Sequence, residues 1–271
     1  MITAEQFRFF ADLVKSASGI ALAPGKEYLV ESRLNELARG LGMKDMDEFY
    51  RKACTSLTPA IREKIVDAMT TNETYFFRDQ HPFEAMKKLV FPELAKRNGN
   101  GRIRIWSAAC STGQEPYSLA MIIQEHFASL AQSGVEIVAT DISRRAVEKG
   151  AAGRFTQVEV NRGLPVTLLI RHFTQNGAFW HAKDSLKNMV AFRIFNLLQP
   201  FTGLGTFDVI FCRYVLIYFD PETKDQILRR IVSALNPGGW LFLGATETPS
   251  NLPPFMKRIP LEKGVCWKRA G

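Results

Sequence analysis

The stretch that decides the fold runs from Ile103 to Ser118 and reads IRIWSAACSTGQEPYS. It begins with an apolar run around Ile105 that is typical of a buried strand, and helical spacing starts near Pro116. Small residues that end in Gly113 lie between the two, which predicts a tight turn with room for close backbone approach. In an open α/β sheet such a turn lies at the carboxyl end of a strand, where ligands bind. We therefore predict a nucleoside pocket at this turn.

Two acidic residues near the turn indicate which nucleoside the pocket takes. A dinucleotide site is expected to show G-x-G-x-x-G, and only Gly113 is present. The helix opens with Glu115 although a pyrophosphate needs positive potential there, and a second apolar strand ends at Asp141, where a carboxylate hydrogen-bonds ribose hydroxyls. Together these features fit S-adenosylmethionine better than NAD. A structural interpretation stays open, in which Glu115 complements the helix dipole and Asp141 caps the next helix.

The pattern along the chain predicts two domains. Residues 1–75 show short amphipathic helices and no strand pattern, so we expect a small all-helical N-terminal domain. From residue 76 to 271, apolar strands alternate with helices, which predicts an α/β fold with a doubly wound, mostly parallel sheet. Residues 151–192 are the least regular part, and we expect a sheet edge there or a small β insertion at about residues 160–192.

Composition narrows the class of protein further. The chain has 271 residues, a net charge of +8 and four cysteines that form no C-x-x-C pair, so neither a zinc site nor a disulfide framework is indicated. No apolar run approaches the roughly twenty residues of a membrane span, and the N-terminus lacks a signal peptide's regions. We expect a cytoplasmic protein with acidic partners. Because basic residues form no block, the sequence gives little support for nucleic acid.

Several long motifs, in order, resemble one family. They are TTNETYFFR (70–78), WSAACSTGQEPYS (106–118), ATDI (139–142), FDVIFCR (207–213) and IYF (217–219), and they closely resemble the chemotaxis receptor methyltransferases, the CheR family. The resemblance implies a Rossmann-like methyltransferase domain. It also implies transfer of a methyl group from S-adenosylmethionine to glutamates in the cytoplasmic domain of methyl-accepting chemotaxis receptors, with S-adenosylhomocysteine as product and no metal.

The resemblance also implies a set of site residues. The cofactor-binding positions map onto Asn72, Thr74, Arg78, Glu115, Asp141, Asn196, Leu197, Arg213 and Tyr214. Asp141 would hold the ribose hydroxyls, and Asn196 and Leu197 would contact the adenine side. Arg78 and Tyr218 would approach the methyl group and the incoming carboxylate as catalytic residues. On the residues alone, Arg78 as a local cap and Tyr218 as a half-buried aromatic stay open.

The sequence departs from the family pattern at two places. Tyr214 stands where the family usually has asparagine, so adenine binding would differ if the contact is through a side-chain amide. Some members tether to a receptor's C-terminal peptide through a glycine-containing loop in the small sheet. Between Phe173 and Phe192 only Gly177 is available, which argues against tethering.

Two other functions remain as alternatives. A nucleic-acid methyltransferase would share the fold, but the place of its Asn/Asp-Pro-Pro-aromatic loop holds Arg213-Tyr-Val-Leu. The similar sequence Asn251-Leu-Pro-Pro-Phe255 has an extra leucine and follows the wrong strand. A non-catalytic adaptor that binds S-adenosylmethionine and docks on receptors would keep Glu115 and Asp141 without turnover.

Overall fold

The structure is a computed structural model that describes residues 2–97, 102–249 and 251–271. Its internal contacts divide the chain into two compact units. The first unit extends to Thr71 and includes Ile217–Lys224, and the second comprises Asn72–Leu216 and Asp225–Gly271. The domain boundary predicted at residue 75 stays a prediction.

The first unit is built from helices whose ends follow local sequence rules. They are α1 (Ala4–Ser18), α2 (Glu27–Gly40), α3 (Met46–Thr55), α4 (Pro59–Met69) and the start of α13 (Pro221–Ser233). Thr3 and Gln6 form a capping box at the start of α1, and Gly19 ends the helix in a left-handed conformation. Phe10 and Phe49 are stacked with their ring centroids 5.5 Å apart in the core of this unit. The helical N-terminal fold is therefore as predicted.

The second unit carries the remaining helices around two sheets. They are α5 (His81–Ala85), α6 (Phe91–Arg97), α7 (Gln114–His126), α8 (Ala128–Ser133), α9 (Arg144–Ala152), α10 (Gln157–Asn161), α11 (Val166–His172) and α12 (Asp184–Lys187). A π-helical turn, Met86–Val90, joins α5 to α6. The part of the chain that the structure describes holds no helix with the length and apolar character of a membrane span.

A seven-stranded sheet forms the centre of the second unit. Its strands are β1 (Ile103–Ala108), β2 (Val135–Asp141), β6 (Val190–Ile194), β7 (Phe207–Cys212), β8 (Leu235–Leu243), β9 (Met256–Pro260) and β10 (Val265–Arg269). The spatial order is β6-β2-β1-β7-β8-β10-β9, with parallel pairing from β6 to β8 and antiparallel pairing at β10 and β9. This topology confirms the predicted doubly wound, mostly parallel sheet.

The segment that was least regular in sequence contributes to both sheets. A small antiparallel sheet contains β3 (Arg154–Thr156), β4 (Phe173–Asn176) and β5 (Phe179–Ala182), with β5 in the middle. Its Phe155 and Phe173 pack edge-on against each other. By contrast, β6 pairs in parallel with β2 at the edge of the main sheet. The small β insertion is confirmed, and the sheet edge is a separate strand beyond it.

The central strand β1 is buried on both faces, so packing on both sides fixes the position of its carboxyl end. Trp106 is fully buried, stacks on Phe207 at a centroid distance of 5.4 Å and donates from Nε1 to the Thr140 hydroxyl at 2.9 Å. The parallel register puts Ala108 beside Thr140 on one side and Cys212 on the other. Strand order reverses at β1, so the segments that follow β1, β2 and β7 meet at a topological switch point.

Candidate functional site

The turn after β1 is tightly curled. Ala109, Ser111 and Gly113 all have positive φ angles, of 57°, 51° and 96°. A Cβ on Gly113 would lie 2.9 Å from the Phe192 ring, so a glycine is required there both by conformation and by space. The predicted strand, turn and helix are confirmed, with the helix beginning at Gln114.

Asp141 joins this turn to the start of the next helix. Its two carboxylate oxygens accept hydrogen bonds from the backbone N–H of Ser111 at 2.8 Å and of Ser143 at 2.9 Å. Ser143 itself caps α9, because its hydroxyl accepts from the Ala146 N–H. Asp141 therefore anchors the turn after β1 to the end of β2, and it does not supply the cap of α9.

The segment that precedes the first helix of the second unit also lies at this edge. The backbone carbonyl of Asn72 accepts from the Ser111 hydroxyl at 2.8 Å. The side-chain Nδ2 of Asn72 donates to Ser143 Oγ at 3.4 Å. The half-buried Thr74 follows in the same segment. Asn72 is thus brought together with the turn and with the surroundings of Asp141.

This segment has an unusual backbone. Phe77, Asp79 and Gln80 have φ angles of 53°, 69° and 52°, which are uncommon for residues with a side chain. The backbone N–H of Phe77 donates to the Ser118 hydroxyl at 3.0 Å, which ties the segment to α7. A strained backbone of this kind persists only where the surrounding structure enforces it, and such segments cluster at functional sites.

Arg213, directly after β7, connects these parts through its buried guanidinium. Nη1 donates to Glu115 at 2.9 Å, and Nη2 donates to Asp79 at 2.7 Å and to the Arg78 carbonyl at 2.8 Å. Glu115 also accepts from the Ser107 hydroxyl at 2.7 Å. One carboxylate oxygen of Glu115 thus accepts from Arg213 and the other from Ser107, and each can accept a second hydrogen bond. The arginine holds two carboxylates of different segments in one network.

Arg78 lies beside this network with most of its hydrogen-bonding capacity unused. Its Nη1 donates to the Glu73 carbonyl at 2.9 Å, and its Cζ lies 3.7 Å from the centre of the Tyr214 ring. Within the described residues, no carboxylate forms an ion pair with Arg78. Of the five N–H donors of an arginine, four are therefore available to a ligand.

The last two positions predicted to contact the cofactor, Asn196 and Leu197, lie at the end of β6, the neighbour of β2. The Phe195 N–H donates to the Asp141 carbonyl at 2.9 Å, which brings Asn196 close to the end of β2. The Asn196 side chain accepts from the Leu198 N–H at 2.9 Å, and Leu197 is buried. Both residues therefore border the same edge of the sheet as Asp141.

Tyr218 belongs to the first unit, whereas Arg78 belongs to the second. It ends a short 3-10 turn, Leu216–Tyr218, and its carbonyl accepts from the Ala21 N–H at 2.8 Å. Phe219 forms an isolated bridge with Ile20. The Tyr218 side chain is half-buried, and the catalytic role suggested by the resemblance stays a prediction.

Sequence reasoning missed Glu247, which is 2% exposed and holds the loop after β7. Its carboxylate accepts from the backbone N–H groups of Tyr214, Leu216 and Gly244, each at 2.7 Å. Glu247 lies in an irregular loop after β8, where no pattern distinguishes it from a solvated acid. Asp79 was missed for the same reason.

The two cysteines at the site are neutral thiols. Burial, followed by the charge of Asp141, raises the pKa of Cys110 well above its usual value. Burial also raises the pKa of Cys212, with Glu247 adding to the shift. A thiolate nucleophile is therefore disfavoured at both positions. In the described ranges, no three His, Cys, Asp or Glu side chains come together as a metal-binding group.

These residues fit an S-adenosyl cofactor chemically. Asp141 and Glu115 offer carboxylate acceptors for hydroxyl and ammonium groups, beside a turn of small residues. The buried Nε of Arg213 makes no hydrogen bond within the described residues, so one donor is left for an acceptor on a ligand. The site thus presents both kinds of partner that an amino-acid and ribose group require.

The fold and this site define the class of an S-adenosylmethionine-binding methyltransferase. A family model described as the SAM binding domain of CheR methyltransferase matches residues 72–265, and the model of its all-alpha domain matches residues 5–70. The chain belongs to the CheR methyltransferase family, as the resemblance of the motifs predicted.

Full-length relatives support this assignment. The chain is 46% identical to chemotaxis protein methyltransferase 1 of Pseudomonas aeruginosa, over 97% of each chain. It is 44% identical to chemotaxis protein methyltransferase Cher2 of Pseudomonas putida, over 97% of this chain and 96% of the relative. The solved magnesium protoporphyrin IX methyltransferase of Synechocystis, with bound SAM, shares 15% identity over 89% of this chain and 97% of its own, with a TM-score of 0.40. That last similarity is too weak to bear on function.

Proposed function

We propose that the chain transfers the methyl group of S-adenosylmethionine to glutamate side chains in the cytoplasmic domain of methyl-accepting chemotaxis receptors. The products are glutamate methyl esters and S-adenosylhomocysteine. The relatives' names support a role in chemotaxis. The observation that carries the choice of a carboxylate substrate is Arg78, a half-buried guanidinium with four uncommitted N–H donors.

A carboxylate acceptor explains why the site needs few catalytic groups. A glutamate has an ordinary pKa of about 4.3, so it is already ionised at neutral pH and needs no general base. When bound, S-adenosylmethionine supplies an electrophilic methyl group on a sulfonium. The work left to the protein is orientation, which can contribute about 7 kcal/mol or more. Arg78 can provide it, because a guanidinium edge binds a carboxylate in a defined plane.

We propose that the cofactor lies along the carboxyl edge of β6, β2, β1 and β7. Asp141 would accept from its ribose hydroxyls, and Glu115 from its hydroxyl or ammonium groups. The residues that follow β6 would border the adenine. The complete proposed set of cofactor residues is Asn72, Thr74, Arg78, Glu115, Asp141, Asn196, Leu197, Arg213 and Tyr214, the last through its backbone.

Replacement of Asp141 by alanine should weaken binding of S-adenosylhomocysteine about a hundredfold. The variant loses the ribose acceptor and also releases the Ser111 and Ser143 amides that shape the turn. Hydrogen bonds to a charged group contribute about 1.5–3 kcal/mol each, and a factor of ten corresponds to about 1.4 kcal/mol. Titration calorimetry measures the loss. Asp184→Ala is the control, because the Asp184 side chain is 84% exposed. Unchanged affinity in Asp141→Ala would place the pocket elsewhere.

The reaction is tested with the full chain, S-adenosylmethionine labelled in its methyl group, and the cytoplasmic fragment of a Pseudomonas aeruginosa receptor. We expect label in the receptor that is released as methanol by mild base, and one added methyl on individual glutamates by mass spectrometry. Parallel reactions contain DNA or transfer RNA instead of the receptor. Label in the nucleic acid would contradict the proposal. Tight cofactor binding without any transfer would favour the adaptor.

A further inference from the structure

Tyr214 has an unusual conformation for an aromatic residue. Its φ angle is 57°, in the left-handed region that asparagine and glycine tolerate and larger side chains avoid. An aromatic residue costs conformational energy in this region, so contacts of the Tyr214 side chain must offset the strain.

Those contacts are with residues of the 72–80 segment. The Tyr214 ring lies against the guanidinium of Arg78, with 3.7 Å from Cζ to the ring centre. Its hydroxyl donates to Asp79 Oδ2 at 2.5 Å, on the carboxylate that also pairs with Arg213. Burial, and next the hydrogen bond to Asp79, raise the pKa of Tyr214, so the phenol stays protonated as the donor. The Tyr214 ring thus contacts Arg78 with its face, and its hydroxyl is held by Asp79.

Two aromatic rings lie beside Arg78, whose N–H donors make one hydrogen bond within the described residues, to the Glu73 carbonyl. A second ring, that of Tyr75, has its centre 5.6 Å from Arg78 Cζ. An aromatic ring that stacks on a guanidinium takes none of its in-plane N–H donors, so a ring can orient Arg78 without competing with a carboxylate. A Cβ at Gly244 would come within 3.0 Å of the Tyr214 ring and backbone, so the glycine makes room for the tyrosine.

From this geometry we infer that Tyr214 is a positioning residue that orients Arg78 for the substrate carboxylate, and that its side chain does not bind the cofactor. The inference rests on the proposed function, because Arg78 is there the group that meets the carboxylate. It assigns this chain a feature that an asparagine cannot supply, since an amide offers no ring face.

Two variants separate the ring from the hydroxyl. Tyr214→Asn removes the ring and relieves the backbone strain, because asparagine tolerates the left-handed conformation, so the variant is expected to fold. Tyr214→Phe keeps the ring and loses the hydrogen bond to Asp79. Tyr28→Asn serves as the matched control, because Tyr28 is 66% exposed on α2.

In the receptor methylation assay, Tyr214→Asn should lower kcat/KM for the receptor by about tenfold or more, because misplaced reacting groups lose rate steeply. Its affinity for S-adenosylhomocysteine should stay within about twofold of wild type, since that range is below about 0.5 kcal/mol. Tyr214→Phe should retain activity within about threefold. In an Arg78→Lys background, Tyr214→Asn should have little further effect. A parallel loss of cofactor affinity and activity, or equal losses in both Tyr214 variants, would overturn the inference.

An independent readout does not depend on activity. The Arg78 Nε–Hε signal in a nitrogen-15 NMR spectrum, assigned by its loss in Arg78→Lys, should be shifted upfield by the ring in wild type and Tyr214→Phe. It should return towards the unshifted position in Tyr214→Asn. An unshifted signal in wild type would refute the contact. If the signal behaves as expected but wild type methylates no receptor, the positioning geometry stands and the proposed function fails.

Discussion

Replacement of Arg213 by methionine should cost the second unit about 3–5 kcal/mol of unfolding free energy, because it leaves two largely buried carboxylates without their cation. The Arg213 side chain is 2% exposed, and its partners Asp79 and Glu115 are 21% and 11% exposed. Methionine preserves most of the buried stem, so the loss measures the missing charge and hydrogen bonds. Urea unfolding followed by tryptophan fluorescence is the measurement, since Trp106, Trp180, Trp240 and Trp267 all belong to the second unit.

Two comparisons show whether the unpaired carboxylates cause the loss. Arg230→Met removes an arginine that donates to the carbonyls of Leu198 and Gln199, and it should cost only about 1–3 kcal/mol. The combined variant Arg213→Met, Asp79→Asn, Glu115→Gln should recover much of the stability, because the uncompensated charges are gone. A combined variant as unstable as Arg213→Met alone would show that lost packing, and not charge, is responsible.

Much of the fold could be predicted because its determinants are local. The capping box of Thr3 and the apolar run before Ser107 each act within a few residues, and the structure follows both. The strand after residue 189 was harder. Val190–Ile194 is a short edge strand with three buried or half-buried positions followed by two exposed ones, and only its parallel partner β2 decides its sheet. Such partnerships are tertiary, so no local pattern reveals them.

The candidate site shows the same division. Glu115 and Asp141 could be singled out because the strand-end rule places them, and the structure puts both at the edge where β1, β2 and β7 end. Asp79 could not be singled out, since its role comes from its ion pair with Arg213, which lies 134 residues further along the chain. Tyr214 was visible as a departure from the family pattern. The direction of the Tyr214 ring could not be predicted, because a left-handed backbone and a hydrogen bond to Asp79 decide where the ring points.

Replacement of Glu247 by alanine should have an effect of similar size, through backbone groups and not through an ion pair. Two buried amides and one partly buried amide lose their acceptor at once, and an unsatisfied buried donor costs about 1–3 kcal/mol, so we expect a loss of about 3 kcal/mol or more in the same unfolding experiment. The loop after β7 carries Tyr214, so the Arg78 Nε–Hε signal should also lose its ring shift.

Glu247→Gln is the informative intermediate. Its single carbonyl oxygen can serve the Tyr214 and Gly244 amides, which share Oε2, but its NH₂ group then faces the N–H of Leu216, donor against donor. The variant should therefore be less stable than wild type and more stable than Glu247→Ala. Glu262→Ala, at an exposed position, is the control for loss of an acid in the same unit. If Glu247→Gln matched Glu247→Ala, partial retention of hydrogen bonds would not matter, and the carboxylate charge itself would be what stabilises this loop.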